Sequence, residues 1–306
     1  MTEAVLLCIL ASLLWGITNH IDKFMINEID DESSSVKVLL IFSTFVTGII
    51  LSPLWLILGK FNVSISLISL ISVFCGSLAY ITATVLYFKA MQENDASIIS
   101  IMFQMIPVFS YILALILFKE NLTIKQIIGS VLIIFSAIII SFNFNEKKND
   151  KKKLKAFILM TISSLLYAGY FILFDVGIRH SEYYSCAFWY QIGFLIVGII
   201  LLCIKSFRKP FVKAIKKNGF RFFGLNTLNE AFNLIAVLIV NFANVTIPVA
   251  LVNVLTGFQG AFAFILGILG TIFIPKYIKE DLSKNIIIQK VISIAIGAIG
   301  LVILFL

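Results

Sequence analysis

Apolar runs with few or no charges fall at about 4–26, 36–59, 67–91, 96–118 and 122–144, and again at about 156–178, 183–204, 219–242, 246–274 and 286–306. A helix rises about 1.5 Å per residue, so about 20 such residues cross a hydrocarbon core of about 30 Å. The pattern predicts an all-α integral membrane protein with ten transmembrane helices. One polar stretch, NEKKNDKKKLK at 145–155, divides the runs into five and five. It is read as a basic linker between a first five-helix unit, 1–144, and a second, 156–306. The first run is read as a retained helix rather than a signal peptide, because MTEAVLL lacks a basic side chain and Trp15, Asn19, His20 and Asp22 interrupt the apolar residues. The run from 246 is long for one span, so it is expected to be tilted or to have its edges inside the run.

The fourth run is not apolar all round. Ser97, Ser100, Gln104, Pro107 and Tyr111 recur at steps of three or four and share one helix face. A related pattern returns in the second half, where Phe258-Gln259 stands against Phe103-Gln104 at an offset of 155. Leu13-Leu14-Trp15 likewise recurs as Leu165-Leu166-Tyr167, with Asp22 and Asp175 at nearly matching distances, and the helix carrying Gly129 resembles the last one, carrying Gly297. The chain reads as two copies of one unit. An odd number of spans per unit places the copies in opposite orientations, as an inverted repeat.

Composition strengthens this picture: 60% of the 306 residues are hydrophobic and only 13% are charged, far from soluble averages. The net charge of +8 does not imply nucleic acid, because the basic residues lie in short loops and at helix ends. Twenty of the 24 Lys and Arg fall in or beside the loops after the first, third, fifth, seventh and ninth helices. By the positive-inside rule those loops are cytoplasmic and both termini face outward, in a multi-pass protein of the plasma membrane. Cys8, Cys75, Cys186 and Cys203 sit in apolar segments without a CxxC or Cys/His cluster, so neither disulfide, metal nor cofactor is implied.

Ionisable groups at membrane depth cost about 2.5–3.5 kcal/mol on insertion scales, so each needs a wet cavity, a partner or a role. Glu230 is the deepest, beside Asn229 and on a side shared with Asn226 and Asn233. It is read as a proton carrier or cation ligand, against the alternative of a hydrogen-bonded strut. In the first helix Trp15, Thr18, Asn19 and Asp22 share a face, with Asp22 as a second candidate ion-coupling residue and Lys23 either pairing with it or reaching the interface. The third helix presents Ser77, Tyr80, Thr84 and Tyr87, and the ninth Asn253, Thr256 and Gly260. Gln104, Gln259, Asn229, Asn233, Tyr80, Trp15 and Asn19 are the candidate substrate contacts around one central pocket. The same stripes also fit interhelical hydrogen bonds worth roughly 1 kcal/mol or less each. His20 reads as a packed polar residue. Trp15, Tyr80, Tyr167, Tyr170, Trp189 and Tyr190 could cage an organic cation, while belt positions at the interface explain Trp55 and Tyr183.

Leu13-Leu14-Trp15-Gly16, Tyr87-Phe88-Lys89-Ala90-Met91 leading into Ala96-Ser97, the Pro107 helix, Lys119-Glu120-Asn121-Leu122-Thr123 and Gly129 together resemble the EamA-type unit of the drug/metabolite transporter superfamily. The second half resembles it more loosely over 242–264 and 279–306, where IPKYIKED replaces the short acidic turn. The resemblance implies a ten-helix secondary transporter or exporter of a small metabolite, working by alternating access, and it does not choose the substrate. It also implies cytoplasmic termini, opposite to the charge asymmetry, whose 20 to 4 excess keeps the termini outside. Two other classes stand beside transport: a membrane enzyme on a lipid-linked substrate, for which no nucleophile with a base or acidic cluster at an interface is found, and a non-transporting scaffold or receptor with a dry interior.

Overall fold

Helices form where the apolar runs place them. They are α1 (Thr2–Asn27), α2 (Glu32–Ile41), which continues through a π-helical turn (Phe42–Val46) into α3 (Thr47–Leu58), α4 (Leu67–Gln92), α5 (Ala96–Met102), α6 (Met105–Phe118) and α7 (Ile124–Ser141). The second half gives α8 (Asp150–Ile178), α9 (Tyr183–Cys203), α10 (Lys205–Thr246), α11 (Val249–Thr256), α12 (Gln259–Phe273) and α13 (Lys284–Phe305). This computed structural model describes residues 2–29, 32–118, 123–141, 150–247 and 249–305. Among them nine segments are long and apolar enough to cross a membrane, and the apolar helix at Ile124–Ile140 is shorter. The chain is a multi-pass, all-helical membrane protein. Of the expected linker, 145–149 lies outside the described residues, and 150–155 forms the first turns of α8. The turn residues Lys119, Glu120, Asn121 and Leu122 also lie outside them.

The distribution of side chains is that of a protein solvated by lipid. Large apolar residues such as Leu6, Leu67, Ile124 and Phe273 point outward, while Ser12, Asn19, Ser77, Ser97, Ser163 and Ser293 are buried. In lipid the outward apolar surface costs nothing, and interior helix contacts favour small and hydrogen-bonding residues. Ser163 Oγ, for example, donates to the Ala83 carbonyl at 2.9 Å, joining α8 to α4. The principal pairings set α1 against α10, α4 against α8, α3 against α9, α7 against α13 and α5 against α12.

Two runs expected as single spans are each broken. α5 gives way to α6 at Phe103-Gln104, and α11 to α12 at Gly257-Phe258. Pro107 accounts for the first: without an N–H it cannot donate to the Phe103 carbonyl four residues back, which instead accepts from Ile106 N at 3.0 Å in a tighter turn. At the second, Gly257 supplies the weak helical position, and Phe258 N reaches back only to Leu255 O, at 3.3 Å. The breaks occupy matching places around the recurring Phe-Gln pair. The long run from 246 is also resolved: α10 extends to Thr246, and the next span starts beyond it.

The basic stretch 205–218, expected as a loop, is helical. It leads to the span at Arg221–Val240 through Gly219, whose φ of +62° and ψ of −156° suit glycine alone. The loop between α12 and α13 folds inward rather than hanging in solvent, which carries Glu280 into a buried position.

Close approach of α7 and α13 depends on glycine. A Cβ on Gly129 would stand 2.6 Å from Leu304 N and 2.7 Å from the Gly300 carbonyl, both backbone atoms. Gly129→Ala should therefore push the helices apart and cost about 1–3 kcal/mol, as overpacked interiors do. Gly169→Ala, where no atom lies within 4 Å of the added carbon, should be neutral or mildly stabilising. Denaturant unfolding of the two variants in micelles checks the contrast.

Candidate functional site

Five helices, α1, α3, α4, α5 and α10, bring polar side chains to one interior region. The last turns of α1 carry Asp22 one turn beyond Asn19 and two beyond Trp15, so all three face α4 and α10. Asp22 Oδ1 accepts from Asn229 Nδ2 at 2.8 Å, and Asp22 Oδ2 accepts from the Tyr87 hydroxyl at 2.8 Å. The same hydroxyl lies 3.1 Å from Asn19 Oδ1, and Asn19 Nδ2 donates to Ser100 Oγ on α5 at 2.9 Å. Deeper in α10, Asn233 Oδ1 accepts from Trp15 Nε1 at 3.0 Å and also lies beside Tyr80 and Glu230. Glu230 faces Asp22 and Thr47, the latter at the residue where the π-helical turn ends. The extra residue of a π turn rotates the helix beyond it, and here that rotation faces Thr47 toward the carboxyl.

Neither carboxyl has a cationic partner among the described residues. Lys23, adjacent to Asp22, turns away and donates to the Met91 and Gln92 carbonyls at 2.7 and 3.1 Å, closing the end of α4. Asp22, Glu230, Trp15, Asn233 and Tyr80 each keep partial exposure, so the region is not sealed. Asn229 Oδ1, beside Asp22, is buried with no hydrogen-bond partner among the described residues. Next to this group stands an aromatic cluster in which Tyr80 packs edge-on to Tyr167 at 5.0 Å and Tyr170 at 5.3 Å, and Tyr170 stacks on Tyr190 at 5.1 Å. Tyr167 shares a hydrogen bond with Thr84 at 3.0 Å.

The structure thus brings together Asp22, Glu230, Asn229, Asn233, Tyr80, Trp15 and Asn19 from the expected set. Gln104 is placed differently: it lies in a helix-to-helix contact, Nε2 donating to the Gly257 carbonyl at 3.1 Å and Oε1 against Gly297. Gln259 begins α12 at the other break and is half-buried. Trp189 is apart from the aromatic group, its Nε1 donating to Val63 O at 2.9 Å, and Trp55 is buried edge-on to Tyr183. His20 is packed as expected, Nε2 at 2.7 Å from the Ala263 carbonyl. Tyr87 is the bridging residue that its helix stripe suggested without marking it as a site residue.

A second polar group closes one end of the bundle. Lys290 on α13, fully buried, donates from Nζ to Asp95 Oδ2 at 2.8 Å and Glu280 Oε2 at 2.9 Å. Glu280, from the loop before α13, also accepts from Ser97 N at 3.0 Å and Ser97 Oγ at 2.5 Å, with His20 Nδ1 at 4.0 Å. Charge counting for orientation included Lys290 as an interfacial cation. Its burial and pairing remove it from that role.

A comparison with curated proteins finds no match. Residues 2–142 match the model of the EamA-like transporter family. The first half of the chain, with its Asp22 face, its Tyr87 bridge and its Pro107 break, is therefore similar to the EamA-like transporter family, which is part of the drug/metabolite transporter superfamily.

Proposed function

We propose that the chain is a secondary active transporter that moves a small polar or amphiphilic metabolite across the plasma membrane by alternating access between two inverted units, 1–144 and 156–306. Ten spans are reached by adding the shorter α7 helix to the nine of full length. Support for the inverted arrangement comes from the matching helix breaks and from reciprocal pairing: the first span of each unit packs against the third of the other, α1 on α10 and α8 on α4. The termini then face away from the cytoplasm, as the charge asymmetry requires.

The observation that carries the reading is the Asp22–Glu230 pair, two interior carboxyls served only by neutral donors among the described residues. In this reading they carry a proton or neutralise a cationic group, while Trp15, Asn19, Tyr80, Asn229 and Asn233 contact substrate. Gln104 and Gln259 stand at the two breaks and reach substrate when the breaks flex. Hydrogen-bond accounting at Tyr87 supports the proton role. Its single hydroxyl proton cannot serve both Asp22 Oδ2 and Asn19 Oδ1. With Asp22 protonated, the acid donates to Tyr87, Tyr87 donates to Asn19, and Asn19 donates to Ser100, so every link is satisfied. With Asp22 ionised, Tyr87 turns to the carboxylate and Asn19 loses its donor. The proton on Asp22 thereby decides whether Tyr87 serves Asp22 or Asn19, while α1 stays bonded to α4 and α5 in either state. The unpartnered Asn229 oxygen leaves an acceptor for a substrate N–H or O–H.

Uptake of labelled metabolites into proteoliposomes, with and without an imposed pH gradient, tests this. Accumulation of at least one compound that follows the gradient and collapses with a protonophore is expected. Uptake that ignores the gradient entirely would remove the coupling from the proposal.

A further inference from the structure

Transport uses nothing from the helical segment 205–218 ahead of the Gly219 break. We propose that this segment lies along the membrane surface and that its basic face binds the phosphate headgroups of anionic phospholipids. Its sequence, KSFRKPFVKAIKKN, holds six Lys or Arg and no acidic residue. Helical spacing sorts them. Phe211 and Ala214 are buried and Phe207 and Ile215 half-buried on one side, whereas Lys205, Arg208, Lys209, Lys213, Lys216 and Lys217 are all exposed.

The roll of the helix is set by packing. Phe211 meets the fully buried Phe42 ring edge-on at 5.1 Å, and Lys37 Nζ lies 6.0 Å over the Phe207 ring. The basic face therefore cannot turn inward. Its height is set by chain connectivity. The span of α9 ends at Cys203, and the next begins at Arg221, so both ends of the segment are tied to the same membrane edge. A helix of about 20 Å anchored at both ends in this way runs along the headgroup layer rather than out into water.

The exposed face also has shape. A groove of about 370 Å³ is lined by Arg208, Lys209, Val212, Lys213 and Lys216. Its lining is mostly the apolar stems of these side chains, which suits the glycerol carbons of a lipid whose phosphate the charged ends meet. Charges that served only to orient the chain during insertion would need to be counted, not sorted onto one face of a folded helix. Clusters of four or more Lys and Arg beside a span are drawn to anionic leaflets, and this segment meets that description with its geometry fixed.

Purified wild-type protein in neutral detergent is titrated with phosphatidylglycerol, phosphatidylcholine or inorganic phosphate, following Tm and retained lipid by native mass spectrometry. Phosphatidylglycerol should raise Tm and leave adducts, and the other two should do neither. The variant R208Q/K209Q/K213Q/K216Q should bind phosphatidylglycerol at least about tenfold more weakly, each cation near an anionic surface being worth roughly fivefold. Equal responses of the wild type to phosphatidylglycerol and phosphatidylcholine would overturn the proposal, whatever the variant does. A response to inorganic phosphate as large as that to the lipid would overturn it in favour of a free-anion site. Unchanged lipid binding in the quadruple variant would place the lipid elsewhere and overturn it as well.

Discussion

Asp22→Asn should lower proteoliposome transport by about ten- to a hundredfold and flatten its pH dependence, the range expected when hydrogen bonds to an ionisable group worth about 1.5–3 kcal/mol are lost. The asparagine keeps the shape of the carboxyl but cannot exchange a proton. With its amide nitrogen toward Tyr87 and its oxygen toward Asn229 Nδ2, it would hold the hydrogen bonds of the protonated acid permanently. Glu230→Gln should have a similar effect, because that carboxyl shares the interior region and likewise has no cationic partner among the described residues. If the two act as one unit, the double variant should be scarcely worse than the poorer single one. Lys23→Gln supplies the control. Its ammonium closes α4 instead of pairing with Asp22, so the substitution should reduce stability and leave the pH profile in place. Full transport with an unaltered pH profile in both Asp22→Asn and Glu230→Gln would rule these carboxyls out of coupling.

The parts of this arrangement that could be read from the chain are those where lipid makes polarity expensive. Asp22, Asn229, Glu230 and Asn233 stand out because nothing else in an apolar run explains them, and the structure brings all four together. Tyr87 was visible only as a member of a stripe, since a tyrosine near a helix end fits an interfacial belt equally well. Its bridging role depends on how α1 packs on α4, which periodicity does not encode. Gln104 drew attention by recurring at Gln259. The recurrence marks the breaks, and the Gln104 amide satisfies the Gly257 carbonyl that the second break leaves free. The segment 205–218 was hidden by its own charge, because six cations dominate its composition while only Phe207, Phe211, Ala214 and Ile215 record the helical period. Lys290 was misplaced for a related reason: a lysine near the start of a span ordinarily reaches water along its flexible stem. Here α5 and the loop before α13 bring two carboxylates to it instead.

That lysine gives the largest stability effect expected. Lys290→Met should destabilise the fold by about 3–5 kcal/mol, the cost of removing one partner from a buried ion pair and leaving its counterion uncompensated. The two carboxylates do not suffer equally. Asp95 keeps 19% of its side chain exposed and can draw on water, whereas Glu280 keeps 3% and depends on Ser97 and Lys290. Glu280→Gln should therefore cost less than Lys290→Met, because Lys290 retains Asp95 and the amide oxygen can still accept from Ser97. The double variant should be more stable than the sum of the two losses requires, since no unpaired charge remains in the buried position. Denaturant unfolding of the four proteins in micelles measures this coupling directly. The location of the group adds a functional reading to the same cycle. Glu280 ties the 274–283 loop to the N-terminus of α5, and α5 is joined to α1 by the Asn19–Ser100 bond. Loosening the ion pair should thus free the end of the bundle nearest Asp22, and the double variant should show faster labelling of a cysteine placed at Ser100 than the wild-type background. Equal labelling rates in the two backgrounds would show that the ion pair holds the loop without holding that end closed.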